Sequence, residues 1–240
     1  MLTELIRHPI LSARFIAKPV TQIPSKGWPK LRRHADDEFD RKYGVETTRM
    51  VQITPTGSPN FSHGTRYQAT GEAVIRWCIE NCGLPYSETT FVDIGCGKGR
   101  VVMVAAMYGF KRVLGVEYSP ELAAVCRKNL EKLTMSAGLP ALHGVLAPCE
   151  VIEGDAVEFQ VPEGNLLAFF NNPFDEVVHE QVLRNLAASP GKVRIAHFGP
   201  GHEVVKASGF ARTLGSGQGA TLYEIVKEAS IKHASVGARD

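Results

Sequence analysis

The chain has 240 residues, 44% of them hydrophobic and 22% charged, with a formal net charge of +2. That is enough apolar material for one sizeable core and excludes a disordered or collagen-like polymer, while so small a charge gives no argument for nucleic acid or an anionic membrane as partner. No stretch approaches the ~20 apolar residues of a membrane span, and five cysteines without disulfide-framework spacing suit a reducing compartment.

Charge is uneven along the chain. Residues 1–70 hold 11 Lys and Arg against 6 Asp and Glu, a net +5, and residues 71–240 carry a net −3. A basic arm on a slightly acidic body reads first as a solvated surface and second as a contact for phosphate or acidic substrate. The opening stretch is interrupted by Arg7, Pro9, Arg14 and Lys18. It lacks the continuous apolar core of a secretory signal and predicts a cytoplasmic protein. Prolines at 9, 19, 24, 29, 55 and 59 make residues 1–65 the least regular part, an N-terminal extension that packs on the main domain or closes over it as a lid. Within it, the densely charged stretch 32–49 predicts a short exposed helix.

From Thr70 the pattern changes. Thr70 can cap a helix over Gly71–Asn81, with Ala73, Val74, Trp77 and Cys78 on one face, stopped by Gly83 and Pro85. Cys78 and Cys82 share a helix face, but no second cysteine pair or nearby histidine completes a zinc set, and no metal is expected. Phe91–Ile94 reads as a buried strand, and Val101–Tyr108 as a helix apolar nearly all round, hence buried. Arg112–Glu117 is a second strand. Ser119 as N-cap and Pro120 at the first position then open a helix to Leu133. Strands follow at Glu150–Glu153, Leu166–Phe170 and Val193–Phe198, with helices at Asp175–Ala188 and Glu203–Ser208. Arg212–Leu214 and Thr221–Val226, joined by a Gly-rich loop, should pair as an antiparallel hairpin. Strands alternating with helices mean right-handed crossovers. The expectation for residues 66–228 is an α/β, Rossmann-like, doubly wound and mostly parallel seven-stranded sheet with an antiparallel C-terminal hairpin; residues 229–240 form a tail.

The first strand runs into Asp93-Ile94-Gly95-Cys96-Gly97-Lys98-Gly99-Arg100. Glycines let the backbone turn tightly and let a ligand approach closely. The spacing is G-x-G-x-G, one residue shorter than the loop that seats a pyrophosphate. Asp93 ahead of it would repel phosphate and suits a ligand carrying an amino group. Glu117, closing the second strand, is set to accept from a ribose diol; alone it would read as a surface acid at a strand end. Asp155 could accept from an adenine amino group or cap a helix. Lys98 and Arg100 are expected to face solvent or an acidic neighbour.

Taken in order, FVDIGCGKGR, GVEYSPEL, EGDA and FFNNPF resemble the successive motifs of class I S-adenosylmethionine-dependent methyltransferases, over roughly residues 67–227. That resemblance implies S-adenosylmethionine as cofactor, with Asp93, Gly95, Gly97 and Gly99 around its methionine part, Glu117 at the ribose, Asp155 and Ala156 at the adenine, and Cys96 and Tyr118 also in contact with the cofactor. The stretch from Phe39 to Tyr67 is similar to a bacterial group of such enzymes with unassigned substrate, which implies Tyr67 close to the cofactor. Asn171-Asn172-Pro173-Phe174 looks like the Asn-Pro-Pro-Phe/Tyr motif of enzymes methylating planar amino groups, in which Asn171 and Pro173 would hold the amine, Phe174 would stack on it, and Asn171 would also reach the cofactor. Asn172 departs from that motif, and the same four residues also read as a plain strand-to-helix turn with Asp175 as cap. His63 and His197 could be general bases or structural histidines. The expected function is therefore methyl transfer to an acceptor the sequence does not identify. The candidates are an amino group on a small molecule, a protein or, less expected, a nucleic acid, and no membrane partner is expected. The alternatives are a non-catalytic S-adenosylmethionine-binding domain and an NAD-dependent oxidoreductase. The first 65 residues are expected to carry acceptor selectivity.

Overall fold

The strand Thr89–Ile94 (β1) is buried along all six residues, as a strand covered on both faces must be. In the computed structural model of the chain, which describes residues 38–49, 67–135 and 145–226, β1 is an inner strand of a seven-stranded sheet. It pairs in parallel with Arg112–Glu117 (β2) on one side and Asn165–Asn171 (β4) on the other. Cys149–Glu153 (β3) extends the β2 side and Val193–Phe198 (β5) the β4 side, both in parallel. Ala220–Ile225 (β7) then runs antiparallel beside β5, and Ala211–Gly217 (β6) closes the order β3-β2-β1-β4-β5-β7-β6. The β6–β7 hairpin turns on Gln218 and Gly219, both with positive φ (54° and 79°), the conformation whose twist matches that of the flanking strands.

Side chains alternate across the sheet. Phe91, Val113, Leu167, Phe169, Ala196 and Leu222 face one core, shared with the helices Glu72–Glu80 (α2), Arg100–Ala106 (α3) and Pro120–Met135 (α4). Val92, Ile94, Leu114, Phe170, Ile195 and Tyr223 face the other, shared with Glu176–Ala187 (α5) and His202–Ala207 (α6). Every residue of α3 is buried, in keeping with its apolar circumference. A further helical stretch, residues 38–43 (α1), lies on the N-terminal side of the boundary drawn at 65/66. Phe39 and Tyr43, one turn apart, are each 2% exposed and belong to the first core. The exposed helix expected over 32–49 is thus, in its described part, half buried: Phe39 and Tyr43 form an apolar face hidden among the charges. Two further differences are local. Thr70 does not cap α2; the cap position is Gly71, with no side-chain bond, and Thr70 itself is buried. Helix α3 begins one residue early, directly after Gly99, and stops at Ala106. Among the described residues no helix is long and apolar enough to cross a membrane.

Candidate functional site

A cleft opens beyond the carboxyl ends of β1, β2 and β4, at the point where the strand order reverses and such sheets bind ligands. Its walls come from Tyr67–Thr70 ahead of α2, from Gly95–Gly97 and Arg100 after β1, from Glu117 and Tyr118 after β2, and from Asn171 and Pro173 after β4; Asp93 also borders it.

Two buried carboxyls define its electrostatics. Asp93 is 2% exposed, and no described residue donates a hydrogen bond to it. Burial, and then the charge of Glu117, hold its carboxyl well above the usual carboxylate range. Glu117, 3% exposed, accepts from the Gly97 N–H at 2.8 Å and the Ser119 N–H at 3.0 Å. Burial raises its carboxyl too, against the pull of those backbone donors.

The glycine loop is shaped by its protein neighbours as much as by any ligand. Gly97 has φ 54°, and a Cβ there would sit 2.3 Å from the Tyr67 ring. At Gly95 (φ 77°) the corresponding atom would meet Pro173 Cβ at 2.6 Å. Gly99 packs on Cys126 of α4 and does not border the cleft. Tyr67 is fixed in turn, its hydroxyl donating to the Thr47 carbonyl at 2.6 Å, and burial pushes its phenol well above the ordinary value.

At the end of β4, Asn171 Nδ2 donates to the Gln68 carbonyl at 2.8 Å, which leaves its side-chain oxygen as an acceptor at the cleft. Asn172 adopts φ 44° and accepts from the Gly201 N–H at 3.1 Å. Proline, locked near φ −65°, cannot take that left-handed conformation, whereas Asn can. The departure from Asn-Pro-Pro-Phe therefore has a backbone cause. Phe174 is 9% exposed and packs edge-on against Phe170 and His179 in the second core; it does not line the cleft. Asp175 caps α5, accepting from Val177 and Val178 N–H. Asp155 accepts from the Val157 N–H at 2.9 Å, capping the turn after β3; neither it nor Ala156 is among the lining residues.

Lys98 and Arg100 find acidic neighbours and are buried rather than facing solvent. Their partners, Glu46 and Asp40, lie some fifty residues earlier, a separation no local pattern reveals. His197 neither borders the cleft nor is satisfied: its ring stacks on His179, centroids 4.9 Å apart, and none of the four ring nitrogens has a hydrogen-bond partner among the described residues. His63 lies outside the described residues. Gln68, Ala69, Thr70, Val101 and Leu122 also line the cleft without being foreseen there; their closeness in sequence to Tyr67, the glycine loop and Tyr118 was the available signal.

Several known proteins resemble this chain in part. The profile of a family described as "Methyltransferase domain" matches residues 92–194. Among curated relatives, the ribosomal protein L11 methyltransferase of Edwardsiella ictaluri is 26% identical over 148 residues, covering 58% of this chain and 48% of the relative. The Salmonella arizonae protein of the same name is 25% identical over 175 residues, covering 68% and 55%. The chain thus spans about half the length of the curated relatives it matches. Among solved structures, an RNA methyltransferase from Salinibacter ruber in complex with S-adenosyl-L-homocysteine aligns with a TM-score of 0.43 at 22% identity, covering 67% of this chain and 95% of that one. A Thermoplasma acidophilum protein aligns with a TM-score of 0.48 at 10% identity, covering 81% and 98%.

Proposed function

We propose that this chain, whose residues 92–194 match a family described as "Methyltransferase domain", is a class I S-adenosylmethionine-dependent methyltransferase that transfers the cofactor's methyl group to a nitrogen acceptor held beside Asn171. The observation that carries this reading is Asp93, a buried carboxyl with no hydrogen-bond partner among the described residues, next to a glycine loop. Such a group is costly to bury, and a ligand ammonium offsets that cost, which fits the amino-acid end of S-adenosylmethionine. Glu117, bordering the same cleft, has the oxygens to accept from a ribose diol. A pyrophosphate would face both acids, which disfavours a dinucleotide.

The bound cofactor supplies a methyl carbon activated by its sulfonium. What the chain contributes is position and dryness, since an in-line displacement needs little else. Tyr67 and Gly97 wall one side and Pro173 the other. Asn171, its amide nitrogen committed to Gln68, offers its oxygen to an N–H of the acceptor. That orients the nitrogen lone pair and selects amines over acceptors without a donor. Tyr118 is assigned beside the ribose and, from their place after β3, Asp155 and Ala156 beside the adenine. A ribosomal-protein amine is the first acceptor to try, because the relatives are named for that substrate.

Calorimetric titration with S-adenosylmethionine, beside NADH, tests the reading on wild type and on an Asp93→Ala, Glu117→Ala double variant. Binding of S-adenosylmethionine alone, lost in the folded double variant, is the expected result. Binding of NADH instead, or of neither by folded wild type, overturns it.

A further inference from the structure

Two cations are built into the glycine loop and its helix, beside a cleft assigned to a cationic ligand. Lys98 is fully buried and Arg100 2% exposed. The Lys98 ammonium lies 5.7 Å from the centre of the Tyr67 ring, so one ring separates it from Gly97 and the cleft; Arg100 borders the cleft itself. Left unpaired, these charges would oppose a sulfonium. The segment 38–49 supplies what answers them. Glu46 Oε1 meets Lys98 Nζ at 2.6 Å, and the Arg49 carbonyl also accepts from Lys98. Thr47 Oγ1 accepts from Arg100 Nε at 2.7 Å, and Asp40 Oδ1 lies 3.4 Å from Arg100 Nη2. Asn129 of α4 ties the segment down, donating to the carbonyls of Glu46 and Lys98 at 2.9 Å each.

We propose that Asp40 and Glu46 neutralise the loop cations Lys98 and Arg100 and so set the cleft's preference for the charged sulfonium cofactor over its uncharged thioether product. The inference rests on the cleft being the S-adenosylmethionine site. It makes the segment 38–49 an electrostatic part of that site, remote in sequence and adjacent in space. Methyl transfer removes the ligand's sulfonium charge, so a cleft balanced in this way favours the reactant form on entry.

The discriminating quantity is the ratio of affinities for S-adenosylmethionine and S-adenosylhomocysteine, which a purely structural role would leave unchanged. Glu46→Gln keeps an oxygen for both of its donors, the Arg49 N–H and Lys98, and removes only the charge. It should weaken S-adenosylmethionine binding by about fivefold to tenfold and S-adenosylhomocysteine binding by less than about twofold. Lys98→Met has the opposite sign: it removes the cation, leaves Glu46 charged, and should shift the ratio towards S-adenosylmethionine. The double variant should return to the wild-type ratio. Both ligands weakening in proportion, or no change in either single variant, overturns the proposal while leaving the cofactor assignment standing. Wild type binding neither ligand removes the assignment and the proposal together. Should Glu46→Gln melt early, the sign of the Lys98→Met shift decides alone.

Discussion

At Gly97 the backbone, the cleft wall and a remote aromatic ring converge. With φ 54° and the Tyr67 ring 2.3 Å from where a Cβ would stand, no larger residue fits without moving a side chain that is itself tethered to Thr47. Gly97→Ala adds both a left-handed strain of about 1–2 kcal/mol and a displaced cleft wall. It should weaken S-adenosylmethionine binding by more than about tenfold. Gly154→Ala is the matched control, because it lies at the end of β3 with nothing within 4 Å of the added carbon and no positive φ, and its affinity should stay within about twofold of wild type. Equal affinities for the two variants in titration would mean that Tyr67 yields freely and is no wall at all.

Among the elements, α5 shows how far a local signal carries. Asp175 was legible as a cap from its place after Pro173-Phe174, and it does accept from the first-turn N–H groups. The helix it opens buries Val178, His179, Val182, Leu183 and Leu186. Asp175→Ala should cost about 1 kcal/mol and lower Tm by about 2–4 °C, with Asp175→Ser recovering most of it. A melt unchanged by the alanine would show that packing alone fixes the helix start. A mostly parallel seven-stranded sheet with an antiparallel C-terminal hairpin was equally legible, because alternating βα units closed by a hairpin leave few topologies open; the order of the strands came from the folded chain. Asp93, Gly95, Gly97, Glu117 and Asn171 could be placed at the cleft for the same reason: each sits at a strand end, and strand ends of such sheets converge. What stayed hidden was long-range. The charged face of residues 38–43 obscured Phe39 and Tyr43, and no periodicity links Glu46 to Lys98 or Thr47 to Arg100. Only the folded chain shows that Phe174 turns into the core while Asn171 stays at the cleft.

For the whole molecule, the second core carries an acid-sensitive element. His179 and His197 stack on each other and on Phe170, with centroids 4.9 to 6.0 Å apart, and their unpartnered nitrogens make the neutral form the one that tolerates burial. Burial lowers His179 to about 4. It lowers His197 to about 3, with the charges of His179 and His202 adding to the effect. In the unfolded chain both would titrate near the ordinary ~6.5. As pH falls below that value the unfolded state takes up protons first, so stability present above pH ~6.5 is lost progressively until the folded values are reached, at up to ~1.4 kcal/mol per pH unit for each histidine. Asp93 and Glu117 act in the opposite sense, because their raised carboxyls bind protons in the folded state before the unfolded one. Their pH dependence runs from the ordinary carboxylate range up to their raised values and offsets part of the histidine loss, so the histidine term is isolated by comparing a variant with wild type at each pH. His179→Phe retains an aromatic ring in the stack and removes one titrating group. Its urea midpoint should rise relative to wild type at pH 5 by clearly more than at pH 8. The same difference at both pH values would assign the acid sensitivity to groups other than this pair.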